Sequence, residues 1–328
     1  MSYGSYTQGY AGSTSTAGST STPGSTAAPI PRDELDQGFE LDRILTFGER
    51  GNILVESFTP GASTVESQVG LNPRGDNRWF GRDRRRPGIW AWSLGVNRQD
   101  EVGAYETLAQ IQEAWDNEDI RLTPGAVSTL RYRVAGRTRQ IYGRPRRCEM
   151  APPDIRRFAG YMGVEVDFEP VDPLHYDDVE STAVLSIVAA ESSGLTEASL
   201  TDPLTSLVSP GVQRAGQIFV GGTAATWAIV RIKGATGASN LRVIVDEKWS
   251  VGIVGPIASD EVVTVDGRPW VRSATSSLGG SASGRLVPTT RLDAMRLTPG
   301  PHEIRIEGLD PTGTATATVA WRGASKSL

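Results

Sequence analysis

Two nearby segments of opposite charge, both with the periodicity of a β-strand, most constrain the fold of this chain. Leu130, Tyr132 and Val134 alternate with Arg131 and Arg133. Successive side chains of a strand point to opposite faces, so the apolar groups would lie on one face and the guanidinium groups on the other. The segment therefore predicts a sheet with one buried face and one charged face.

The chain after this strand predicts a hairpin and then an acidic strand. Gly136 permits a tight reversal, and residues 137–142 form the return strand. We expect Pro145 to end that strand, because proline cannot donate a hydrogen bond to the sheet. Val164, Val166 and Phe168 then alternate with acidic residues. This pattern indicates a half-buried strand with an acidic outer face.

Arginines and carboxylates are segregated along the chain. Seven arginines and no acid lie between positions 131 and 147, and seven acids with no lysine or arginine lie between 165 and 180. Alternation places most of the arginines on the sheet face opposite the core. Either both blocks are solvated strand faces, or they pair at a contact between subunits, since guanidinium groups favour bidentate carboxylate contacts. The candidate interface residues are Arg131, Arg133, Arg137, Arg139, Glu165, Asp167 and Glu169.

Composition and motifs exclude several classes of function. A net charge of -5 and a pI near 5.3 disfavour a general nucleic-acid binder. The single cysteine, Cys148, excludes an intrachain disulfide and a multi-cysteine zinc site. His175 and His302 are too far apart in sequence for a simple metal site or catalytic triad, and no phosphate-binding loop is present. We therefore predict a protein that is not an enzyme, with no catalytic residue, cofactor or metal.

Changes in composition divide the 328 residues into three parts. Residues 1–28 are mostly Ser, Thr, Gly and Ala, which predicts a flexible tail. Residues 29–180 form a first domain and residues 181–328 a second, each of ordinary domain size. The chain has no signal-peptide pattern and no apolar run long enough to cross a bilayer, so we expect a soluble protein that is not exported by a signal peptide.

The first domain shows strands, one helix and a long insertion. Trp90 and Trp92 mark a strand at 89–96 with a large apolar face. Apolar residues at spacings of three and four then predict a helix over 102–115. Residues 60–87 are rich in Gly, Asn, Asp and Arg and are interpreted as an extended loop or arm. A connection of that length inside a compact domain usually serves binding.

The second domain has the pattern of an all-β unit. Short segments rich in Val, Ile, Thr and Ala alternate with Gly, Pro and Asp turns, which predicts a sandwich or a jelly roll. Trp227, Trp249 and Trp270 lie in this part. Core packing is their favoured role, and stacking on a sugar is the alternative.

These features together resemble the distal tail proteins of bacteriophages with long, non-contractile tails, in particular the minor tail proteins of phages of actinobacteria. The resemblance rests on residues 130–147, 166–168 and 171–176, with a helix ending in tryptophan before them and the all-β unit after them. It covers most of the chain in outline. The implied fold is mainly β, with an N-terminal ring-forming β domain under one covering helix and a C-terminal galectin-like or jelly-roll β-sandwich.

The resemblance also implies a structural role at the tail tip of the virion, after assembly in the host cytoplasm. Six copies would close into a ring that joins the tail tube protein to the tail-associated hub protein, with receptor-binding or other minor tail proteins around it. No membrane contact is implied, and DNA would be met only during its passage through the lumen. The arginine face could meet carboxylates of the next protein in the tail, or it could instead look into this lumen. The alternative function is a carbohydrate-binding module that recognises the host surface. The tail and the insertion at 60–87 depart from the family pattern, so their contacts are not implied.

Deleting residues 1–28 should leave the melting temperature nearly unchanged, because this segment has almost no apolar surface to bury. Differential scanning calorimetry of the full and shortened chains measures the difference. A fall of many degrees would show that the segment is part of the fold.

Overall fold

A computed structural model of the chain describes residues 38–71, 78–134, 136–152, 154–187 and 216–328. The predicted tail, residues 1–28, lies outside these ranges. The described chain is mainly β and has two large hydrophobic cores, one within residues 39–168 and one within 185–321, with a smaller cluster between them. We call the first unit the front domain and the second the sandwich, and the expected fold class is confirmed.

The front domain is one large sheet with a helical cover and a projecting hairpin. Its elements in chain order are β1 (Phe39–Leu41), β2 (Leu45–Phe47), β3 (Ile53–Thr59), β4 (Thr64–Glu66), β5 (Val69–Leu71), β6 (Arg78–Phe80), β7 (Arg84–Arg86), β8 (Trp90–Asn97), α1 (Glu101–Trp115), α2 (Glu118–Leu122), β9 (Ser128–Val134), β10 (Arg137–Met150), a 3-10 helix (Ile155–Ala159), β11 (Tyr161–Pro170) and β12 (His175–Asp177).

Seven of these strands form an antiparallel path in the order β2-β1-β9-β10-β11-β8-β3. The predicted end of the return strand at Pro145 is wrong, because β10 continues to Met150. A shift in register between Pro145 and Cys148 forms an irregularity in the pairing with β11. Such a bulge accommodates a residue that cannot donate to the sheet.

The predicted helix is present as α1 and covers the sheet. The Asp100 side chain caps its start by accepting from the Gly103 amide at 2.6 Å. Ile111 is fully buried, and the Trp115 indole N–H donates to the Asp167 carbonyl at 3.0 Å. This bond ties the end of the helix to β11 and fixes the helix across the sheet.

The described parts of the insertion, residues 60–71 and 78–87, form an arm with strands of its own. Strand β4 pairs with β7 and β5 pairs with β6, both antiparallel. At the base, a Cβ atom on Gly61 would lie 2.2 Å from the carbonyl carbon of Gly88, so the two strands can approach only because both residues are glycine. The alternative of a loop without secondary structure is therefore wrong for the described part of the insertion.

The sandwich consists of two facing antiparallel sheets, one in the order β13-β22-β15-β18-β19 with β20 beside β15, and the other in the order β14-β21-β16-β17. Apolar side chains from both sheets are buried between them, including Val230 and Val243. The strands are β13 (Ser181–Ser186), β14 (Gly216–Val220), β15 (Thr226–Lys233), β16 (Ser239–Val245), β17 (Trp249–Gly252), β18 (Val262–Asp266), β19 (Ser273–Ser276), β20 (Arg296–Leu297), β21 (Gly300–Leu309), β22 (Thr316–Trp321) and β23 (Ala324–Ser325).

The end of the chain returns to the front domain. Strand β23 pairs with β12, with His175 opposite Ser325 and Tyr176 opposite Ala324. The predicted second domain, 181–328, therefore includes a strand that belongs to the front sheet. No helix in the described ranges is long and apolar enough to cross a membrane.

Replacing Leu108 with alanine should lower the free energy of unfolding by about 2–5 kcal/mol, because its side chain is buried between α1 and the sheet. Leu122→Ala is the matched control, since Leu122 is exposed on α2, and should cost less than about 0.5 kcal/mol. Urea unfolding of both variants measures the difference. Similar losses would contradict the packing of α1.

Candidate functional site

Strands β9 and β10 form a hairpin that contains the four arginines predicted for an interface. Two of these arginines lie on each face of the sheet. Arg139 lies opposite Tyr132, and Gln140 lies opposite Arg131. Residues paired across antiparallel strands point to the same face, so Arg137 and Arg139 share the face of Tyr132, whereas Arg131 and Arg133 point away from it. We expected most of these arginines on the face opposite the core, which is wrong for Arg137 and Arg139. The register of β9 and β10 pairs these two residues with Val134 and Tyr132, which are on the core face.

Arg131 is the centre of a buried ionic network. Its guanidinium Nε lies 2.7 Å from Asp178 Oδ1, and its Nη1 lies 3.4 Å from Glu40 Oε2. The exposed fraction of the three side chains is 11% for Arg131, 3% for Glu40 and 15% for Asp178. The interpretation of a solvated face is therefore wrong for Arg131. Its charge is neutralised within the chain.

Arg139 lies beside a second polar group at the edge of the core. The Tyr132 hydroxyl and His175 Nδ1 are 2.7 Å apart. Burial, and then the charge of Arg139, lower the pKa of His175 to about 4, so the ring is neutral at pH 7 and Nδ1 can accept from the hydroxyl. The Arg139 guanidinium donates to the Ser327 carbonyl. Arg139 thus attaches the returning end of the chain to the front domain.

The predicted acidic strand is paired within the chain, but with other arginines. Arg147 lies 2.6 Å from Glu165 and 3.3 Å from Asp167, and Arg146 lies 2.7 Å from Glu169. Most of these side chains are about half exposed, and ion pairs at such sites are worth only about 0–1 kcal/mol. The acidic face is therefore largely open to solvent and contributes little to folding.

An aromatic cluster joins the front domain to the sandwich. Tyr142 and Trp270 have ring centroids 5.1 Å apart, and Tyr176 packs against both rings. The Tyr176 hydroxyl donates to the Asp172 carboxyl at 2.5 Å. Burial raises the pKa of Asp172 to about 6, although hydrogen bonds from the Tyr176 hydroxyl and the Leu174 amide oppose the shift. The Arg322 guanidinium donates hydrogen bonds to the backbone carbonyls of residues 177 and 178. The junction is packed and bonded rather than a free linker.

Two of the three tryptophans proposed for sugar stacking are buried, and the third is half-buried at the junction of the domains. Trp227 is 9% exposed and lies under the Arg296 guanidinium, 4.4 Å from the ring centroid. Trp249 is 7% exposed and donates its indole N–H to the Arg296 carbonyl at 2.9 Å. Trp270 packs against Tyr142 and Tyr176 in the aromatic cluster between the domains. Stacking on a sugar requires an exposed ring, so the burial of Trp227 and Trp249 favours their role in core packing.

No cluster suited to a metal ion or to thiol chemistry occurs in the part of the chain that the structure describes. No group of three or more His, Cys, Asp or Glu side chains is placed to hold a metal there. Burial raises the pKa of the Cys148 thiol to about 11, so it is protonated at pH 7. The arm and the outer side of the helices are exposed surfaces of the front domain with both charged and apolar side chains.

The arm is basic, and the helices are acidic. These charges lie in separate segments of the sequence, so sequence reasoning did not relate them to each other. Trp79 and Phe80 are largely exposed on the arm, among five described arginines. A groove of about 590 Å³ lies at the end of α1 beside the turn between β1 and β2. It is lined by Ile44 and by the carboxylates of Glu113, Asp116 and Glu118, among others. The acidic composition of residues 101–122 was the available sequence signal for this surface.

The architecture is similar to that of solved chains from a bacteriophage baseplate. The chain is similar to a chain of the phage P2 baseplate in its activated conformation with Ca, with a TM-score of 0.53 and 8% identity over 89% of this chain and 99% of that one. The same baseplate with Sr gives a TM-score of 0.50 and 8% identity over 86% and 97%.

A third similar structure is SPP1 Dit, described as a paradigm of the hub adsorption apparatus in phages that infect Gram-positive bacteria. Its TM-score is 0.47, with 12% identity over 83% of this chain and 93% of that one. No family model and no curated protein matches the sequence. Identities of 8% show a shared fold and no more, and at that level the resemblance stated from the sequence is confirmed.

Replacing Arg131 with methionine should lower the free energy of unfolding by about 3–5 kcal/mol, because Glu40 and Asp178 would remain buried without their cation. Arg137→Met removes the same charge from an exposed position and should cost less than about 0.5 kcal/mol. Thermal and urea unfolding of both variants provide the comparison. Equal, small losses would show that Arg131 is not desolvated in the folded chain.

Proposed function

We propose that this chain is a structural protein of a phage tail tip, in which copies of the front domain close into a ring. The observation that carries the proposal is the similarity to the phage P2 baseplate chain, which extends over 89% of this chain and so includes both domains. A fold alone does not define a function, so the surfaces of this chain must supply the rest of the argument. Its exposed arm and its acidic helical face are such surfaces.

Ring closure requires two different, complementary patches on each subunit. Among the predicted interface residues, Arg131 and Arg139 are engaged within the chain and hold the domains together, so they are unsuited to a subunit contact. Arg137, Glu165 and Glu169 keep exposed side chains and stay candidates for that role. The arm provides a further exposed patch.

The ring would act as a hub. Six copies, the number that the resemblance implies, would join the tail tube protein on one face to the tail-associated hub protein on the other, with receptor-binding or other minor tail proteins outside. DNA would contact the hub only in passage through the lumen. The sandwich would lie outside the ring, and the burial of its Trp227 and Trp249 gives no support to the alternative of a sugar-binding module.

The purified full chain should assemble into a closed ring of six copies as its concentration rises, because its complementary patches differ and cannot both be satisfied in a monomer. Native mass spectrometry measures the number of copies, and particle imaging shows whether the assembly is closed. Labelled antibody should locate the chain at one end of assembled tails. A chain that stays monomeric at high concentration and is missing from tails would contradict the proposal.

A further inference from the structure

The arm is a two-stranded element whose apolar side chains have no packing surface of their own. Trp79 is 60% exposed, Phe80 75% and Val65 59%. Within the described ranges, the arm strands pair only with each other. An isolated pair of strands is marginally stable in water, and a group of exposed apolar side chains marks an interaction site. The arm is therefore suited to pack against another surface.

The charge of the arm indicates what that surface must be. Its described part carries five arginines against the two carboxylates of Glu66 and Asp83. Arg86 pairs with Glu66 at 2.7 Å, which leaves an excess of cationic side chains beside Trp79 and Phe80. The partner surface should be acidic and should include an apolar patch. The five arginines are Arg78, Arg82, Arg84, Arg85 and Arg86.

The groove at the end of α1 has both properties. Ile44, in the turn between β1 and β2, is 69% exposed and forms its apolar patch. The carboxylates of Glu113, Asp116 and Glu118 lie around it. Its volume of about 590 Å³ is large enough to receive several side chains. The groove therefore matches the arm in charge and in apolar character.

The helix itself adds to the negative potential of the groove. Glu113 and Asp116 lie at the C-terminal end of α1, where unpaired carbonyl groups carry partial negative charge, and the last turn has no basic residue. Arg121 is the nearby cation, 3.1 Å from Asp116 and 3.3 Å from Glu118. Carboxylates at this position disfavour the helix, so an arginine supplied from outside would relieve the repulsion.

We propose that the arm of one copy docks into the acidic groove of the next copy in the ring. Its arginines meet the carboxylates of the groove, and its aromatic side chains cover Ile44. This inference rests on the proposed ring. It names the contact that closes the ring: a knob and a socket on the same chain form a head-to-tail interface, which repeats around a circle. A second copy is the favoured occupant because one chain carries both complementary surfaces.

Charge reversal tests the contact. The arm variant Arg84→Glu with Arg85→Glu and the groove variant Glu113→Lys with Asp116→Lys should each raise the concentration for half-assembly by about tenfold or more, because like charges would face each other. The control, Glu106→Lys with Asp119→Lys, reverses two exposed acids of the same helices outside the groove and should assemble like the native chain. Sedimentation velocity measures assembly.

Mixing the two defective variants makes the test specific to contacts between copies. In an alternating ring, the acidic arm of one variant meets the basic groove of the other, and the native arm of the second meets the native groove of the first. An equimolar mixture should therefore assemble although neither variant does so alone. The melting temperature of the groove variant should stay near the native value, because lysine is favourable at the C-terminal end of a helix. That of the arm variant should also change little, because Arg84 and Arg85 are exposed.

Each other outcome would overturn the docking contact. Native assembly by both variants would leave the ring intact and remove the arm and groove from its interface. Failure of the arm variant alone would assign the arm to another acidic surface of the neighbouring copy. Failure of the mixture to recover would show that the two patches do not meet. A native chain that forms no ring would instead contradict the proposed function, so the two failures are distinguishable.

Discussion

The burial of the Arg131 guanidinium between Glu40 and Asp178 connects three parts of the chain that are remote in sequence. Glu40 belongs to the first strand of the front sheet, Arg131 to the central hairpin, and Asp178 to the segment that leads into the sandwich. A desolvated cation is stable only with its counter-charges in place, so each segment is held where the other two require it. This constraint fixes the exit of the chain from the front domain.

The returning end of the chain completes the junction that this network begins. Strand β23 pairs with β12, Arg139 donates to the Ser327 carbonyl, and Arg322 donates to the carbonyl of Asp178. The rings of Tyr142, Tyr176 and Trp270 pack between the domains. Because several kinds of bond act together, the sandwich is attached to the front domain at more than one point.

The division between buried and exposed charge separates the folding of this chain from its proposed assembly. Charges in the Arg131 network are compensated within one copy, whereas the arm keeps arginines and aromatic side chains in solvent. The similarity to a phage baseplate chain at 8% identity fits this division. A sheet needs only alternation and suitable volumes to form its core, so sequences can diverge widely while the architecture stays.

The sequence by itself determined the alternating hairpin around Tyr132, the helix ending at Trp115 and the all-β character of the second domain, because these depend on local periodicity. Only the tertiary structure decided which arginines are buried, since the face of the sheet on which Arg139 lies depends on the register between β9 and β10. It also decided that β10 passes Pro145 and that β23 joins the front sheet. Partners such as Asp178 for Arg131 are remote along the chain, and their pairing follows from packing rather than from spacing.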